Sequence, residues 1–327
     1  MAFDFDAAVC APFRMQPGLR RLAPGGAHLT PLQPGSRHQR EKLAVLSAFA
    51  GMALGRSDGF DETAALHRLA RHAADEHPAA WAWDGARAEA VQLGAAVHDG
   101  RVERTREGVF GLGDEITRCL EGLPAAWRLA GLLALAFEED LALIDRRGHV
   151  PWLAVCLPSH WAPQAKLGRH FAQIHAPVAD NTLLVQAADA LVRLVTAAER
   201  WERFVWNVTD QPRLHAHPEH VAPRDWLNTP PQAAWFRSER QTFLPLPDLG
   251  LALFTIQVDV QPLGRVIDSP ERARALHDAL ATMSPAVLDY RGLAAAREPL
   301  LAWLAERAQG AAPAGLSTPA APAAPTP

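Results

Sequence analysis

The sequence predicts an α+β protein in which helices pack on an antiparallel sheet. Two short apolar runs, at 141–144 and 150–156, flank a turn that contains Gly148, and this pattern is typical of a β-hairpin. Helical periodicity follows at about 164–175 and 181–200. Strand-like segments then return at 204–208, 241–246 and 251–260, so strands and helices share one region of the chain.

The order of these elements, two strands, then helices, then three strands, is the order found in PAS-type domains. We therefore predict a PAS-like core over 141–262, preceded by an extended arm over 1–36 that is rich in Pro and Gly. A helical portion over 37–140, with helical stretches at about 84–98 and 113–137, is expected to pack on the core, and closing helices are expected over 263–309. The Ala/Pro/Ser/Thr composition of 310–327 predicts a disordered tail.

Composition narrows the class of protein. Hydrophobic residues make up 49% of the chain, which is enough for a sizeable core, and the formal net charge of −4 argues against a nucleic-acid partner. The acidic N-terminus does not resemble a signal peptide, and the longest strongly apolar run, 129–137, is about half of what a membrane span needs. We therefore expect a cytoplasmic protein without a membrane partner. The 3 cysteines form no CxxC motif, so an iron–sulfur cluster would have to lie on another chain.

Histidines are concentrated in the segment 149–220, and histidine is the commonest metal ligand. If a helix begins near residue 164, Lys166 and His170 lie four residues apart on one face. His175 follows one turn later, just before Pro177, where the helix should stop. An imidazole at a helix end can present one ring nitrogen to a metal while a backbone carbonyl holds the other.

Two further segments carry candidate site residues. His215 and His217 lie on the same side if the chain there is extended, although no acidic or Cys third ligand for zinc is nearby in sequence. Arg237, Glu239 and Gln241 alternate, so on a strand they project to one face. Arginine pairs well with a carboxylate, and a buried Glu suits a cationic amine, but a solvent-exposed ion-pair network would use the same spacing.

Six motifs occur in a fixed order along the chain: Pro158-Ser-His-Trp161, Lys166-Leu-Gly168, Ile174-His-Ala-Pro-Val178, Arg203-Phe-Val-Trp-Asn207, Arg237-Ser-Glu-Arg-Gln-Thr242 and Leu253-Phe-Thr-Ile256. Together they resemble the haem-dependent oxidative N-demethylase family, and the resemblance covers about residues 10–305. The resemblance implies a haem-binding PAS-type core and the oxidation of a small secondary methylamine with O₂. It also implies electrons from NADPH through a reductase partner that carries FMN and a 2Fe-2S cluster.

The resemblance also implies roles for individual residues. His175 is our expected axial ligand of haem b, with His170 and His215 as alternatives. Lys166 and Arg237 would neutralise the haem propionates, and Trp206 and Gln241 are further expected cofactor-binding residues. Glu239 would hold the substrate ammonium or polarise bound O₂.

Two other classes of function remain open at this point. A haem-binding PAS module can act as a gas or redox sensor without catalysis, although no kinase, cyclase or coiled-coil output element is visible in the sequence. Alternatively, the protein could lack haem and serve as a scaffold. An absorption spectrum, with and without amines, separates these possibilities.

Overall fold

A computed structural model of the chain describes residues 3–109 and 111–310. The tail expected over 310–327 therefore lies, beyond Gly310, outside the described residues. The described residues form an α+β fold, as the sequence predicts, with eleven strands: β1 (Arg20–Arg21), β2 (Leu54–Arg56), β3 (Trp81–Trp83), β4 (Arg87–Ala90), β5 (Ala95–His98), β6 (Arg101–Arg104), β7 (Asp140–Asp145), β8 (Trp152–Ala154), β9 (Trp201–Thr209), β10 (Trp235–Leu246) and β11 (Leu251–Pro262).

Helices lie before, between and after these strands. In the described part of the chain they are α1 (Phe5–Ala8), α2 (Arg37–Ala48), α3 (Ala50–Ala53), α4 (Thr63–Glu76), α5 (Glu115–Gly122), α6 (Arg128–Ala136), α7 (Phe171–His175), α8 (Thr182–Gln186), α9 (Ala188–Thr196), α10 (Leu263–Val266), α11 (Pro270–Ala281), α12 (Pro285–Arg291) and α13 (Arg297–Ala308). None of them has both the length and the apolar character that crossing a bilayer requires.

A seven-stranded antiparallel sheet organises the molecule, in the order β1-β9-β10-β11-β7-β8-β2. The β10–β11 pair is a long hairpin in which Trp235 faces Pro262 and Leu246 faces Leu251. Strand β9 pairs with β10 so that Arg203 faces Gln241 and Val205 faces Glu239. Residues that face each other across an antiparallel pair lie on the same side of the sheet. Arg203, Glu239 and Gln241 therefore define one side, called here the site face.

The two sides of the sheet are covered by different elements. On the site face, Val195 of α9 packs against Phe243, Ile144 and Ala252 in a small apolar cluster. On the opposite face, helices α11 to α13 cover one half of the sheet, where Trp206, Val208 and Phe236 are buried with helix residues such as Leu276 and Leu304. The other half packs against α2, α4 and α6 in the largest core cluster. Both sides are thus covered by other elements, and Arg237 and Glu239 on the site face are buried.

The segment that we predicted as helical over 84–98 is part of a second sheet, of four strands in the order β3-β4-β5-β6. Its alanines, Ala88 and Ala90 among them, are buried at every second position, whereas Arg87 and Glu89 are less buried. Gly94 adopts φ +65°, which ends a helical turn and redirects the chain into β5. An Ala-rich segment is compatible with a helix or a strand, so its contacts with the rest of the protein determine which of the two forms.

Within 141–262 the order of elements is as predicted, with the hairpin β7–β8, then helices, then β9 to β11. The helix predicted from residue 164 is interrupted, however. A single 3₁₀ turn occupies Pro163–Ala165, Gly168 follows with φ +69°, and α7 begins only at Phe171. Lys166 and His170 therefore do not share a helix face. The expected helix over 181–200 is also divided, at Ala187, into α8 and α9.

Candidate functional site

Strand β9 is buried unevenly on its two faces. Arg203, Val205 and Asn207 lie at alternate positions of the site face and are only half-buried, although β9 is covered by β10 on one edge and by β1 at its start. Glu202, Trp206 and Val208, on the other face, are buried. The site face is therefore packed less completely along β9, where several of its polar residues lie.

Glu239 lies on β10 opposite Val205 and has an exposed fraction of 9%. Ser159 Oγ donates a hydrogen bond to Glu239 Oε1, and Gln241 Nε2 donates to Oε2 at 2.6 Å. A carboxylate oxygen can accept two hydrogen bonds, so each oxygen retains capacity for a further donor. The predicted grouping of Glu239 and Gln241 on one strand face is present in the structure.

Arg237 shares that face, and its guanidinium is surrounded by protein acceptors. Nε donates to Ser159 Oγ at 2.6 Å, and the terminal nitrogens donate to the carbonyl oxygens of Arg213, Leu214, Leu157 and Pro158 at 2.7–3.2 Å. Burial lowers the pKa of Arg237 to about 10, against the attraction of Glu239. The cation thus joins two loop segments, 157–159 and 213–214, to β10, and little donor capacity remains for a ligand.

His175 is the last residue of α7, and a backbone carbonyl holds one of its two ring nitrogens, as is typical of a metal-binding histidine. Its Nδ1 lies 2.8 Å from the carbonyl oxygen of Phe171, and its ring lies 4.0 Å from the Phe171 ring. Burial lowers the pKa of His175 to about 4, and the cations Arg203 and Lys166 lower it further against the hydrogen bond to Phe171. The imidazole is therefore neutral at pH 7, with Nδ1–H donating to Phe171 and the Nε2 lone pair free to bind a metal.

Five buried polar atoms on β9 and in the loops before and after it have no hydrogen-bond partner among the described residues. They are His160 Nε2, Arg203 Nε, Asn207 Oδ1, Asp210 Oδ1 and Arg224 Nη1. Buried polar groups are nearly always paired, so unpaired groups close together indicate a missing partner.

Electrostatic effects link these groups to one another. Burial lowers the pKa of Arg203 and of Arg224, and the carboxylates of Glu239 and Asp210 respectively oppose that shift. Burial also lowers the pKa of His160 to about 4, with further lowering by Arg224 and Arg237. Desolvated guanidinium groups with unused donors form charge-assisted hydrogen bonds readily, and carboxylates are suitable partners.

Lys166 lies close to His175. Its Nζ is 3.5 Å from the carbonyl oxygen of Ile174, and burial lowers the pKa of the amine. The sequence predicted Lys166 beside His170 by helical spacing, with His175 one turn further along the chain. In the structure Lys166 and His175 approach each other because the loop after Gly168 folds back.

Three other predicted residues have different surroundings. His170 caps α7, since its Nδ1 accepts from the Ala172 N–H at 3.2 Å and its Nε2 lies 3.8 Å from Asp189. His215 has both ring nitrogens engaged, Nδ1 with Cys156 O at 2.6 Å and Nε2 with His220 Nδ1 at 2.8 Å. Trp206 lies on the opposite face of the sheet, stacks on Phe236, and donates from Nε1 to Ala8 O at 2.9 Å.

Sequence reasoning missed Arg203, His160 and Arg224 as site residues. Arg203 could have been found, because it occupies the same strand motif as Asn207 at even spacing and a buried strand rarely carries an unpaired arginine. Arg224 has no such signal, because it lies in a loop that reaches the site only through tertiary packing.

Fold and site together define an α+β protein in which a neutral histidine, unpaired guanidinium groups and a carboxylate are desolvated in one region of the chain. Residues 121–301 match the family model described as haem-dependent oxidative N-demethylase, alpha subunit-like. This match covers more than half of the chain and includes every site residue described above. The chain belongs to this family.

Proposed function

We propose that this chain is the haem-bearing subunit of an oxidative N-demethylase that acts on a small secondary amine with O₂. The observation that carries the proposal is the group of buried, unpartnered polar atoms described above, which includes Arg203 beside Glu239. Family membership supports haem dependence and oxidative N-demethylation, while the amine, the use of O₂ and the electron donor belong to the proposal.

The residues around the pocket fit a haem b group. A haem is a flat apolar ring with two carboxylates and an iron that needs an uncharged donor. Arg203 and Arg224 offer unused guanidinium donors to the carboxylates, and Lys166 offers a third cation. A small apolar cleft between α9 and the site face has Arg203 in its wall and is lined by residues such as Phe171, Val195 and Phe243.

His175 would hold the iron, and Arg203, Arg224 and Lys166 would hold the carboxylates of the haem. His175 is favoured because its Nδ1 faces a carbonyl oxygen, which leaves a lone pair on Nε2. The Nδ1 of His170 accepts an N–H, so its Nε2 carries the hydrogen of the neutral ring, and both ring nitrogens of His215 are engaged. Arg237, expected at first to bind a propionate, is better suited to holding the pocket wall, since five protein acceptors surround it.

The haem, when bound, supplies the redox chemistry with O₂; the protein residues bind and orient the amine. A secondary amine is protonated near pH 7, so a buried pocket must offer it a carboxylate or bear a desolvation cost. Glu239 is placed for this role, because Ser159 and Gln241 fix both of its oxygens without filling them. The ammonium N–H would donate to a Glu239 oxygen, which can then take up the proton when the amine reacts.

Electrons would come from a partner. The family description names an alpha subunit, which supports the expectation of further subunits. The chain's 3 cysteines are one fewer than a four-cysteine cluster requires, so a reductase with NADPH, FMN and a 2Fe-2S cluster would supply electrons from outside this chain.

We further propose that 141–262 is a PAS-like haem-binding unit. The run of two strands, helices and three strands supports this, and so does the position of His175 on the helices between the strands. The arm over 1–36, the portion over 37–140 and the closing helices over 263–309 would then act as coverings of this unit. The portion over 37–140 contains the four-stranded sheet as well as helices.

Purified protein tests the proposal directly. We expect a Soret band, a shift of that band on titration with small secondary amines, and formaldehyde release when NADPH and a flavin/iron–sulfur reductase are added. Haem without amine-dependent turnover would favour a sensor, and a colourless protein that does not take up added haem would favour a scaffold.

A further inference from the structure

A second cluster of metal-ligating groups lies on the other side of the sheet from the pocket, where the N-terminal arm crosses α4. His28 Nδ1 is 3.0 Å from Glu76 Oε1, His72 Nε2 is 2.8 Å from the same oxygen, and the two nitrogens are 3.1 Å apart. His72 and Glu76 lie four residues apart on α4, so they project from one face of the helix. The side chain of His28 is fully buried, and those of His72 and Glu76 are 15% and 13% exposed.

Hydrogen bonds alone do not satisfy this triangle of atoms. If both ring nitrogens carry hydrogens, both donate to Glu76, and the two N–H groups then oppose each other across 3.1 Å. If either nitrogen is deprotonated, its lone pair faces the carboxylate oxygen at 3.0 Å or less. Every tautomer therefore leaves one repulsive edge. A cation bound to all three atoms removes the repulsion on every edge.

The distances agree with metal binding. Zinc–nitrogen and zinc–oxygen bonds of about 2.0–2.2 Å place neighbouring ligand atoms roughly 3.0–3.5 Å apart, close to the three edges observed. Coordination uses neutral imidazoles and an ionised carboxylate, so a bound metal would displace any proton shared between these groups.

We propose that His28, His72 and Glu76 form a binding site for a divalent first-row transition metal, with Zn²⁺ as its natural probe. Two imidazoles and one carboxylate are the ligand types such ions prefer, and water would complete the coordination. The site is independent of the proposed haem chemistry.

Its position indicates a structural role. Glu76 also accepts the backbone N–H groups of His28 and Leu29, at 3.0–3.2 Å, and the adjacent Thr30 N–H donates to Glu139 at 2.8 Å. A metal bound here would hold the arm against α4. The hydrogen bond from Thr30 to Glu139 would then connect the arm to the start of β7. The three ligands are far apart in the unfolded chain, so such a metal would bind the folded protein only. It would therefore raise the thermal stability of the protein.

The test uses full-length protein, treated with a chelator, desalted and titrated with Zn²⁺ by calorimetry. We expect one equivalent to be bound at this site, and both His72→Ala and Glu76→Gln to lose that equivalent or to weaken it by about 100-fold or more. His67→Ala is the matched control, since His67 is an exposed histidine on the same helix, and it should bind as the wild type does.

Melting temperatures give a second readout. Each protein is melted with and without Zn²⁺, so that any intrinsic loss of stability in a variant cancels. The rise caused by Zn²⁺ should be present in the wild type and in His67→Ala and absent in His72→Ala and Glu76→Gln. Wild type that binds no Zn²⁺ at micromolar concentration, or variants that keep the wild-type stoichiometry and Zn²⁺-induced rise, would overturn the proposal.

Discussion

Arg237 and Glu239, two positions apart on β10, are joined through a single hydroxyl group. Ser159 Oγ accepts from Arg237 Nε at 2.6 Å and donates to Glu239 Oε1. The loop that carries Ser159 is in turn held by Arg237 through the carbonyl oxygens of Leu157 and Pro158. The position of the carboxylate therefore depends on the packing of a loop 80 residues away in sequence.

The first prediction concerns that hydroxyl. Ser159→Ala leaves the buried Nε of Arg237 without an acceptor and frees one oxygen of Glu239. We expect the free energy of unfolding to fall by about 1–3 kcal/mol, the usual cost of an unsatisfied buried group. Urea unfolding of the haem-free proteins measures it. A Ser159→Thr variant, which keeps the hydroxyl, serves as the control, and an unchanged midpoint in Ser159→Ala would show that the link carries no energy.

Glu239→Gln removes charge from the proposed amine partner with little change of shape. We expect haem to be retained and the amine-induced spectral shift to require an amine concentration higher by a factor of about ten or more, since a charge-assisted hydrogen bond contributes roughly 1.5–3 kcal/mol. Amine titration followed at the Soret band measures this. Glu199→Gln, at an exposed carboxylate, is the control. Superimposable titrations of Glu239→Gln and wild type would exclude Glu239 as the amine partner.

His175→Ala tests the axial ligand. We expect haem content to fall to a small fraction of the wild-type value, while His170→Ala and His215→Ala retain haem with an unchanged Soret position, because those rings are engaged elsewhere. Haem content is read from the ratio of Soret to protein absorbance. A folded His175→Ala protein with normal haem content would refute the assignment.

Trp206→Phe distinguishes the two faces of the sheet. The indole packs against Phe236 on the face opposite the pocket and donates to Ala8 O, so its loss should lower the free energy of unfolding by about 1–3 kcal/mol. Haem content and the amine titration should not change. If haem is lost while the far-UV circular dichroism stays the same, Trp206 contacts the cofactor after all.

Two histidines whose pKa values fall to about 4 contribute to the pH dependence of stability. His160 and His175 have folded pKa values of about 4, below the ordinary value of 6.5, so between these pH values the unfolded chain binds more protons. The free energy of unfolding of the haem-free protein should therefore fall as pH drops from 6.5 to 4, by up to about 1.4 kcal/mol per pH unit for each histidine.

His160→Asn isolates one of these contributions. Asparagine tolerates the φ of +62° at this position and does not titrate. Urea unfolding between pH 7 and 4 should show a shallower loss of stability in this variant than in the wild type. Parallel pH profiles for the two proteins would contradict the assignment of a low pKa to His160.

Much of the fold could be predicted because the pattern of apolar residues is local. The hairpin at 141–156 and the strands β9 to β11 follow from short alternating or continuous apolar runs bounded by turns. The strands over 84–98 were missed because an alanine-rich segment fits either a helix or a small sheet. Lys166 and His170 were placed on one helix because the effect of Gly168 on the chain direction was not recognised.

The site could be predicted only in part, for a different reason. Alternation along β10 correctly places Glu239 with Gln241 and Arg237. Whether an arginine is free for a ligand, however, depends on which carbonyl groups reach it. Carbonyl groups of a loop far away in sequence accept hydrogen bonds from Arg237, whereas Arg203 Nε has no acceptor. The spacing of residues along a strand does not reveal such contacts.

The short strand β1 protects the molecule from self-association. Strand β9 is the last long strand on its side of the central sheet, and an uncovered strand edge is a template on which another chain can add. Arg20 and Arg21 pair with its first residues, and α1 lies along the same side, with Ala8 O bonded to Trp206. Removing the arm would leave the β9 edge open, and the shortened protein would be prone to intermolecular pairing and aggregation.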